Sequence, residues 1–346
     1  MSFGLTESPT MRAGRPHRIL VAAIAVGTVV AAGCSSDGGG RTETTPSSAR
    51  STSTSASTTT SKPATTIGRA TVRANGLVFD VREAGPEAGD LVVLLHGFPQ
   101  SSYEWRDVMP ALAAAGYHAV APDQRGYSPG ARPVGDEHYT IEHMVADTLA
   151  IADHYRARRF HLVGHDWGAG VAWATAITEP GRIASLTVAS VPHPAAYTRA
   201  SRDPNGEQSR KKGYVDSFAA PGAAKQLGNE VFLRAAGPRD ATDADVAEYA
   251  RLLGTEQAMD AALAWYRAND LRADFGANAP AVSVPTLFLY GTEDCCLGRD
   301  AADLTESYVD APYRYEVLEG VSHWIPEEAA DALERELLAW LSTHPK

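Results

Sequence analysis

The segment Gly164-His165-Asp166-Trp167-Gly168 follows directly on the apolar run Phe160-His161-Leu162-Val163. Small residues two before and two after a central reactive side chain permit a sharp strand-to-helix elbow that presents that side chain as a nucleophile. A carboxylate in that place limits the chemistry. Attack on an ester carbonyl would form an anhydride, more reactive than the starting ester, whereas attack on an sp³ carbon forms an ordinary alkyl ester that water can later cleave. Asp166 therefore points to epoxides or alkyl halides. The plainer reading, a helix N-terminal carboxylate stabilised by the helix dipole, leaves the two flanking glycines unexplained.

An elbow needs a strand before it and a sheet around it. Two short strand-like runs fall between Ala70 and Val81, and Leu91-Val92-Val93-Leu94-Leu95 is apolar throughout and ended by His96-Gly97. Ala119-Val120-Ala121, Phe160 to Val163, Ile183 to Ala189, Thr286 to Tyr290 and Tyr315 to Leu318 continue the series, with alanine-rich, helix-like stretches between most of them. Runs without polar alternation suit strands covered on both faces, as in a parallel sheet. The alternation predicts an α/β class chain with a mostly parallel, doubly wound sheet. Between Pro192 and about Pro280 the pattern becomes helical, charged and aromatic. The expected organisation is a core over residues 67–192 and 281–346 with an insertion over 193–280.

The first 66 residues have a different composition. Arg12, Arg15 and Arg18 precede an apolar run from Ile19 to Ala32, and Gly33-Cys34 follows. This reads as a secretory signal over residues 1–33, too short for a transmembrane helix. Val30-Ala31-Ala32-Gly33-Cys34 resembles a bacterial lipoprotein signal, with Ala31 standing where leucine is commonest. That resemblance implies lipidation of Cys34 and anchoring at the outer face of the cell membrane; an ordinary secretory signal is the alternative. Residues 34–66 are almost all Ser, Thr, Gly and other small types, which cannot bury enough surface to offset ordering, and read as a tether. With 31 basic and 42 acidic residues the net charge is −11, which argues against nucleic acid. No Cys/His spacing typical of a metal site occurs, and no cofactor is expected. Cys295 and Cys296 are adjacent, and because a vicinal disulfide is strained the expectation is two thiols.

Taken together, His96-Gly97-Phe98-Pro99, Asp123-Gln124-Arg125-Gly126-Tyr127, the Asp166 elbow, Gly291-Thr292-Glu293-Asp294 and Gly320-Val321-Ser322-His323 resemble the α/β-hydrolase superfamily, and within it the epoxide hydrolase branch. The resemblance runs from about Ala70 to the C-terminus. It implies that the 193–280 insertion is a helical cap, and that nucleophile, acid and base follow in the order Asp166, Asp294, His323. Glu293 competes with Asp294 for the acid's role. The backbone amides of Phe98 and Trp167 would receive the oxyanion of ester hydrolysis, and the peptide before Pro99 is cis in relatives. Opening an epoxide also liberates an alkoxide that a phenol can protonate. Tyr214, ahead of Phe218 and Pro221-Gly222, and Tyr266 in Ala264-Trp265-Tyr266-Arg267 are similar to the two cap tyrosines of epoxide hydrolases. Arg210, Lys211 and Lys212 depart from the pattern around Tyr214.

The expected substrate is a small hydrophobic epoxide. A haloalkane dehalogenase shares the aspartate nucleophile and often the following tryptophan, but commonly carries Asn where Phe98 stands and has no need of paired phenols. Fluoroacetate-type dehalogenases place Arg where Trp167 stands. A surface lipoprotein that binds a ligand without turnover is the third reading, opposed by the retention of Asp166, Asp294 and His323 together. Oligomeric state is not legible in the sequence.

Overall fold

The computed structural model describes residues 66–271 and 276–346. The expected signal 1–33, Cys34 and all but the last residue of the expected tether 34–66 lie outside the described residues. No helix among the described residues is long and apolar enough to cross a membrane.

Among the described residues eight strands form one sheet: Gly68–Ala74 (β1), Leu77–Ala84 (β2), Leu91–Leu95 (β3), His118–Pro122 (β4), Phe160–His165 (β5), Ile183–Ala189 (β6), Thr286–Gly291 (β7) and Tyr313–Leu318 (β8). Their spatial order is β1-β2-β4-β3-β5-β6-β7-β8. β1 and β2 are an antiparallel hairpin, β2 also runs antiparallel to β4, and the remaining neighbours are parallel. The hairpin turns on Asn75-Gly76, both at positive φ, the backbone that matches the twist of the flanking strands. Every residue of β3 to β7 is buried, which is why these strands appear in the sequence as unbroken apolar runs.

Successive strand residues face opposite sides of a sheet, and here each side has its own core. Leu91, Val93 and Leu95 pack with Phe160, Leu162 and Trp173. Val92 and Leu94 pack on the other side with Trp105, Met109, Leu112 and Trp340. The covering helices are Met109–Ala114 (α1), Ile141–His154 (α2) and Trp167–Thr178 (α3) in the first part of the chain, and Arg299–Leu304 (α11), Ile325–Glu328 (α12) and Ala330–Thr343 (α13) in the last.

Between β6 and β7 the described residues form a run of helices: Pro194–Ser201 (α4), Glu207–Lys211 (α5), Tyr214–Ala219 (α6), Ala223–Leu227 (α7), Glu230–Ala235 (α8), Asp243–Leu253 (α9) and Glu256–Ala268 (α10). Thr242 and Asp245 close a reciprocal capping box at the start of α9, and Thr255 caps α10, each satisfying amides that a helix start leaves open. Ala258, Met259, Ala262, Leu263 and Tyr266 recur at helical spacing on α10 and are buried. Trp265 ties this helix to the core by donating from Nε1 to the Arg125 carbonyl at 2.8 Å.

The parallel register aligns the carboxyl ends of the strands that matter. Leu95 lies beside Gly164, His165 beside Ala189, and Gly291 beside Leu318. The loops after β3, β5, β7 and β8 therefore leave one edge of the sheet, where α/β proteins form their crevices. At the elbow α3 must start almost against β3: a Cβ on Gly168 would stand 2.1 Å from the Leu95 carbonyl oxygen. Gly168→Ala is expected to lower unfolding free energy by about 1–3 kcal/mol, as overpacking does, measured as a lower urea midpoint; an unchanged midpoint would show that α3 can shift off β3 freely.

Candidate active site

Asp166 follows β5 and stands at the N-cap position of α3 with φ 48° and ψ −120°. A side chain in this sparsely occupied region costs about 1–3 kcal/mol, which surrounding structure must hold in place. The turn lifts the carboxylate to the sheet edge. The Phe98 amide donates to Asp166 Oδ1 at 2.8 Å, and the loop comes this close because residue 97 is glycine: a Cβ there would stand 2.5 Å from Asp166 Cβ. The Phe98–Pro99 peptide is cis. Trp167 is the first residue of α3, so its amide lies outside the helical ladder, next to the same carboxylate.

His323, from the loop after β8, is buried with Nε2 3.4 Å from Asp166 Oδ2 and Nδ1 2.8 Å from Asp294 Oδ2. Asp294 is the acid of this arrangement; Glu293 is exposed and paired with Arg239 at 2.7 Å. The second oxygen of Asp294 accepts from the Cys296 and Leu297 amides at 2.8 and 2.9 Å. Lys211 donates to the carbonyls of Asp294 and Leu297 at 2.6 and 3.0 Å. The basic residues that break the family pattern ahead of Tyr214 thus include one that holds the acid loop.

The expectation of two thiols is corrected here. Cys295 and Cys296 form a vicinal disulfide within the turn whose amides bond the Asp294 carboxylate. Asp294, Cys296 and His323 are also the one set of metal-type donors that converges among the described residues. Their donor atoms are taken: the sulfur is bonded to Cys295, and the imidazole Nδ1 faces the Asp294 carboxylate.

Burial by itself would strip the proton from His323. The charges of Asp294 and Asp166 and the hydrogen bonds to both outweigh it and hold the imidazole pKa up at about 10. Burial likewise opposes ionisation of Asp166, but its bond to His323 and that ring's charge keep the carboxyl below its ordinary value. The resting site is an imidazolium between two carboxylates.

Asp166 and Trp167 line a mainly apolar cavity with Val191, Pro192, Tyr197, Tyr214, Tyr266 and Leu297. The Tyr214 and Tyr266 rings are 6.5 Å apart, and Tyr266 stands edge-on to Trp167 at 5.2 Å and Phe98 at 5.4 Å. Burial first, and then neighbouring negative charge including that of Asp166, pushes both phenols well above their usual range. They are donors at neutral pH. Asp166, Tyr214 and Tyr266 thus line one cavity, and the other two side chains expected from the sequence, His323 and Asp294, follow on from Asp166 in a line of close contacts.

Three further residues were not singled out from the sequence. His165 Nε2 lies 2.9 Å from the His323 carbonyl oxygen, and its Nδ1 lies 3.2 Å from Glu104 Oε2. Ser190 Oγ donates to the same carbonyl at 2.7 Å. Adjacency to Asp166 could have marked His165. Glu104 and Ser190 carry no local signal, since only the folded chain shows that they are buried.

Comparison with known proteins agrees with this geometry. Residues 90–330 match the profile of the alpha/beta hydrolase fold family. Epoxide hydrolase A of Mycobacterium tuberculosis is 32% identical over 315 residues, spanning 78% of this chain and 96% of the relative. The AB hydrolase superfamily protein YfhM of Bacillus subtilis is 33% identical over 279 residues, with 78% and 96% covered. Among solved structures, epoxide hydrolase A from Mycobacterium thermoresistibile superposes with a TM-score of 0.70 at 29% identity, covering 80% of this chain and 98% of that one. An epoxide hydrolase from metagenomes of hot environments gives 0.73 at 25% identity, covering 81% and 100%.

A folded-state pKa of about 10 against an ordinary 6.5 means that His323 adds stability that is complete below pH 6.5 and is lost as pH rises through about 10. The unfolding free energy of the wild type should fall across that window more steeply than that of His323→Gln. Equal slopes in pH-dependent urea titrations would show that the imidazole is not charged in the folded protein.

Proposed function

The chain belongs to the α/β-hydrolase fold family and is a hydrolase with epoxide hydrolase-like homologues, and from that premise we propose that it opens small hydrophobic epoxides to vicinal diols through an alkyl ester on Asp166. The observation that carries this reading is the pairing, across one apolar cavity, of a buried aspartate nucleophile with two protonated phenols. A haloalkane would use the same aspartate but releases halide, which needs no proton donor.

In the first step an Asp166 oxygen attacks an epoxide carbon from behind, the ring C–O bond breaks, and the electron pair stays on the departing oxygen. That oxygen takes a proton from Tyr266 or Tyr214, aimed where charge develops. The product is a hydroxyalkyl ester, and Asp166 is no longer charged. His323 then keeps only Asp294 as a carboxylate partner, so its hold on the proton weakens and it can return that proton to the phenolate.

Neutral His323 next takes a proton from water, whose oxygen attacks the Asp166 acyl carbon. The Phe98 amide already rests on a carboxyl oxygen of Asp166, and with the Trp167 amide it would receive the oxyanion. Collapse expels the diol oxygen, which takes the proton from His323. The free Asp166 carboxyl then protonates the imidazole, and the resting ion pair is restored. Asp294 keeps Nδ1 protonated and orients the ring throughout. One water is consumed and no cofactor takes part.

The signal-like segment 1–33, Cys34 and the Ser/Thr-rich 34–66 stretch support a lipid-anchored protein at the outer face of the membrane. In the producing cell Cys34→Ala should move the protein from the membrane fraction to the soluble fraction; retention in the membrane would refute anchoring through Cys34.

The covalent scheme is tested on the two half-reactions, using aryl and alkyl epoxides beside haloalkanes. His323→Gln should accumulate a substrate-mass adduct on the peptide containing Asp166, and Tyr214→Phe/Tyr266→Phe together should slow its formation by about 100-fold or more. Halide release without diol formation, or turnover with no adduct in His323→Gln, would overturn the proposal.

A further inference from the structure

Beneath the cavity lies a pair of titratable groups that the scheme above does not use. His165 and Glu104 have side chains 1% and 0% exposed, with Nδ1 3.2 Å from Oε2. The other ring nitrogen of His165, Nε2, faces the His323 carbonyl oxygen at 2.9 Å. A carbonyl oxygen only accepts, so Nε2 must carry hydrogen. The same oxygen also accepts the Ser190 hydroxyl at 2.7 Å and the Ile325 amide at 2.9 Å.

The state of Nδ1 follows. A bare Nδ1 facing an ionised carboxylate would set lone pair against lone pair, so one proton lies between His165 and Glu104. It belongs either to an imidazolium paired with a carboxylate or to a carboxylic acid bonded to a neutral imidazole. The surroundings choose between them. The ring of His323, charged in the resting site, has its centroid 5.0 Å from that of His165, and a second cation there would be repelled. Glu104 Oε1 is buried without a hydrogen-bond partner, and Oε2 has besides His165 only the Gly97 amide at a long 3.4 Å. An ionised carboxylate so poorly supplied with donors would be unstable in a dry interior. The nearby cation Arg106 is committed to Glu327 at 2.9 Å.

We propose that Glu104 is a neutral carboxylic acid that donates its proton to His165 Nδ1, and that the tautomer this imposes holds the His323 loop for ester hydrolysis. Burial acts in the same direction, driving the Glu104 carboxyl well above its usual range and His165 down to about 4. Glu104 also receives the Gly97 amide, one residue before the Phe98 amide that bonds Asp166. It thus ties the oxyanion loop to the base loop. It touches no reacting atom and is a positioning residue, and its kinetic role rests on the Asp166–His323 reading above.

The test compares Glu104→Gln, whose amide N–H can still donate to Nδ1, with Glu104→Leu, which cannot. Glu104→Gln should hydrolyse the Asp166 ester at close to the wild-type rate. Glu104→Leu should slow that step by about 10- to 100-fold, as a small misplacement of a catalytic group does, and more than it slows alkylation, so that adduct accumulates. Without any substrate, ¹⁵N spectra of the wild type should show His165, assigned by its loss in His165→Gln, as the neutral Nε2–H tautomer. Infrared spectra should show a protonated carboxylic acid band that Glu104→Gln removes. An imidazolium or Nδ1–H signal for His165, or a Glu104→Gln variant as impaired in ester hydrolysis as a folded Glu104→Leu, would overturn the proposal. The spectra decide it even if Glu104→Leu does not fold or no epoxide is turned over.

Discussion

His323 is buried between the carboxylates of Asp166 and Asp294, which favour a positive charge on its ring, and much of the surrounding architecture serves to hold that arrangement. Desolvation opposes such a charge more strongly than any other single influence acting on it. It persists because two opposite charges approach from different strands and because each is itself held. Asp294 accepts two backbone amides and its loop is tied by Lys211. Asp166 is fixed by the left-handed elbow and by the Phe98 amide. The His323 backbone is held from behind by His165 and Ser190. Removing either carboxylate leaves a buried charge without its full compensation, a larger loss than the interaction was worth.

In the proposed reaction this triad of charges would be unbalanced by the chemistry itself. Esterification of Asp166 would cancel one of the two carboxylates, and the same imidazole that is an acid in the resting site would become available as a base. The switch needs no movement of the chain, only a change of charge 3.4 Å away. The phenols on the helical segment behave in the opposite sense: burial and the negative Asp166 keep them protonated. A carboxylate that is ionised, an imidazole that is charged and phenols that are neutral thus share one apolar space.

The helices between β6 and β7 contribute more than a cover. Tyr214 and Tyr266 reach the cavity from α6 and α10, while α5 carries Lys211 to the carbonyls of the acid loop. One of the basic residues ahead of Tyr214 that look atypical in the sequence, Lys211, is therefore engaged with the core. The disulfide between Cys295 and Cys296 lies in the same turn, so the acid is bounded by a covalent link on one side and a lysine on the other.

What the sequence determined by itself was local. Unbroken apolar runs marked the buried strands because a parallel sheet is covered on both faces, and Gly164 and Gly168 marked the elbow because no larger side chain permits it. The carboxylate at its tip restricted the chemistry, and the order of loops implied the acid and the base. Tertiary structure decided what depends on distant neighbours. Of Asp294 and Glu293 only the first meets His323, 29 residues away, while Glu293 meets solvent and Arg239. Glu104 sits 61 residues from His165, and nothing near it in the chain shows that it is buried. Charge states belong to this second class: whether a group is ionised depends on dielectric and on opposing charges, and both come from segments far apart in sequence that only the fold brings together.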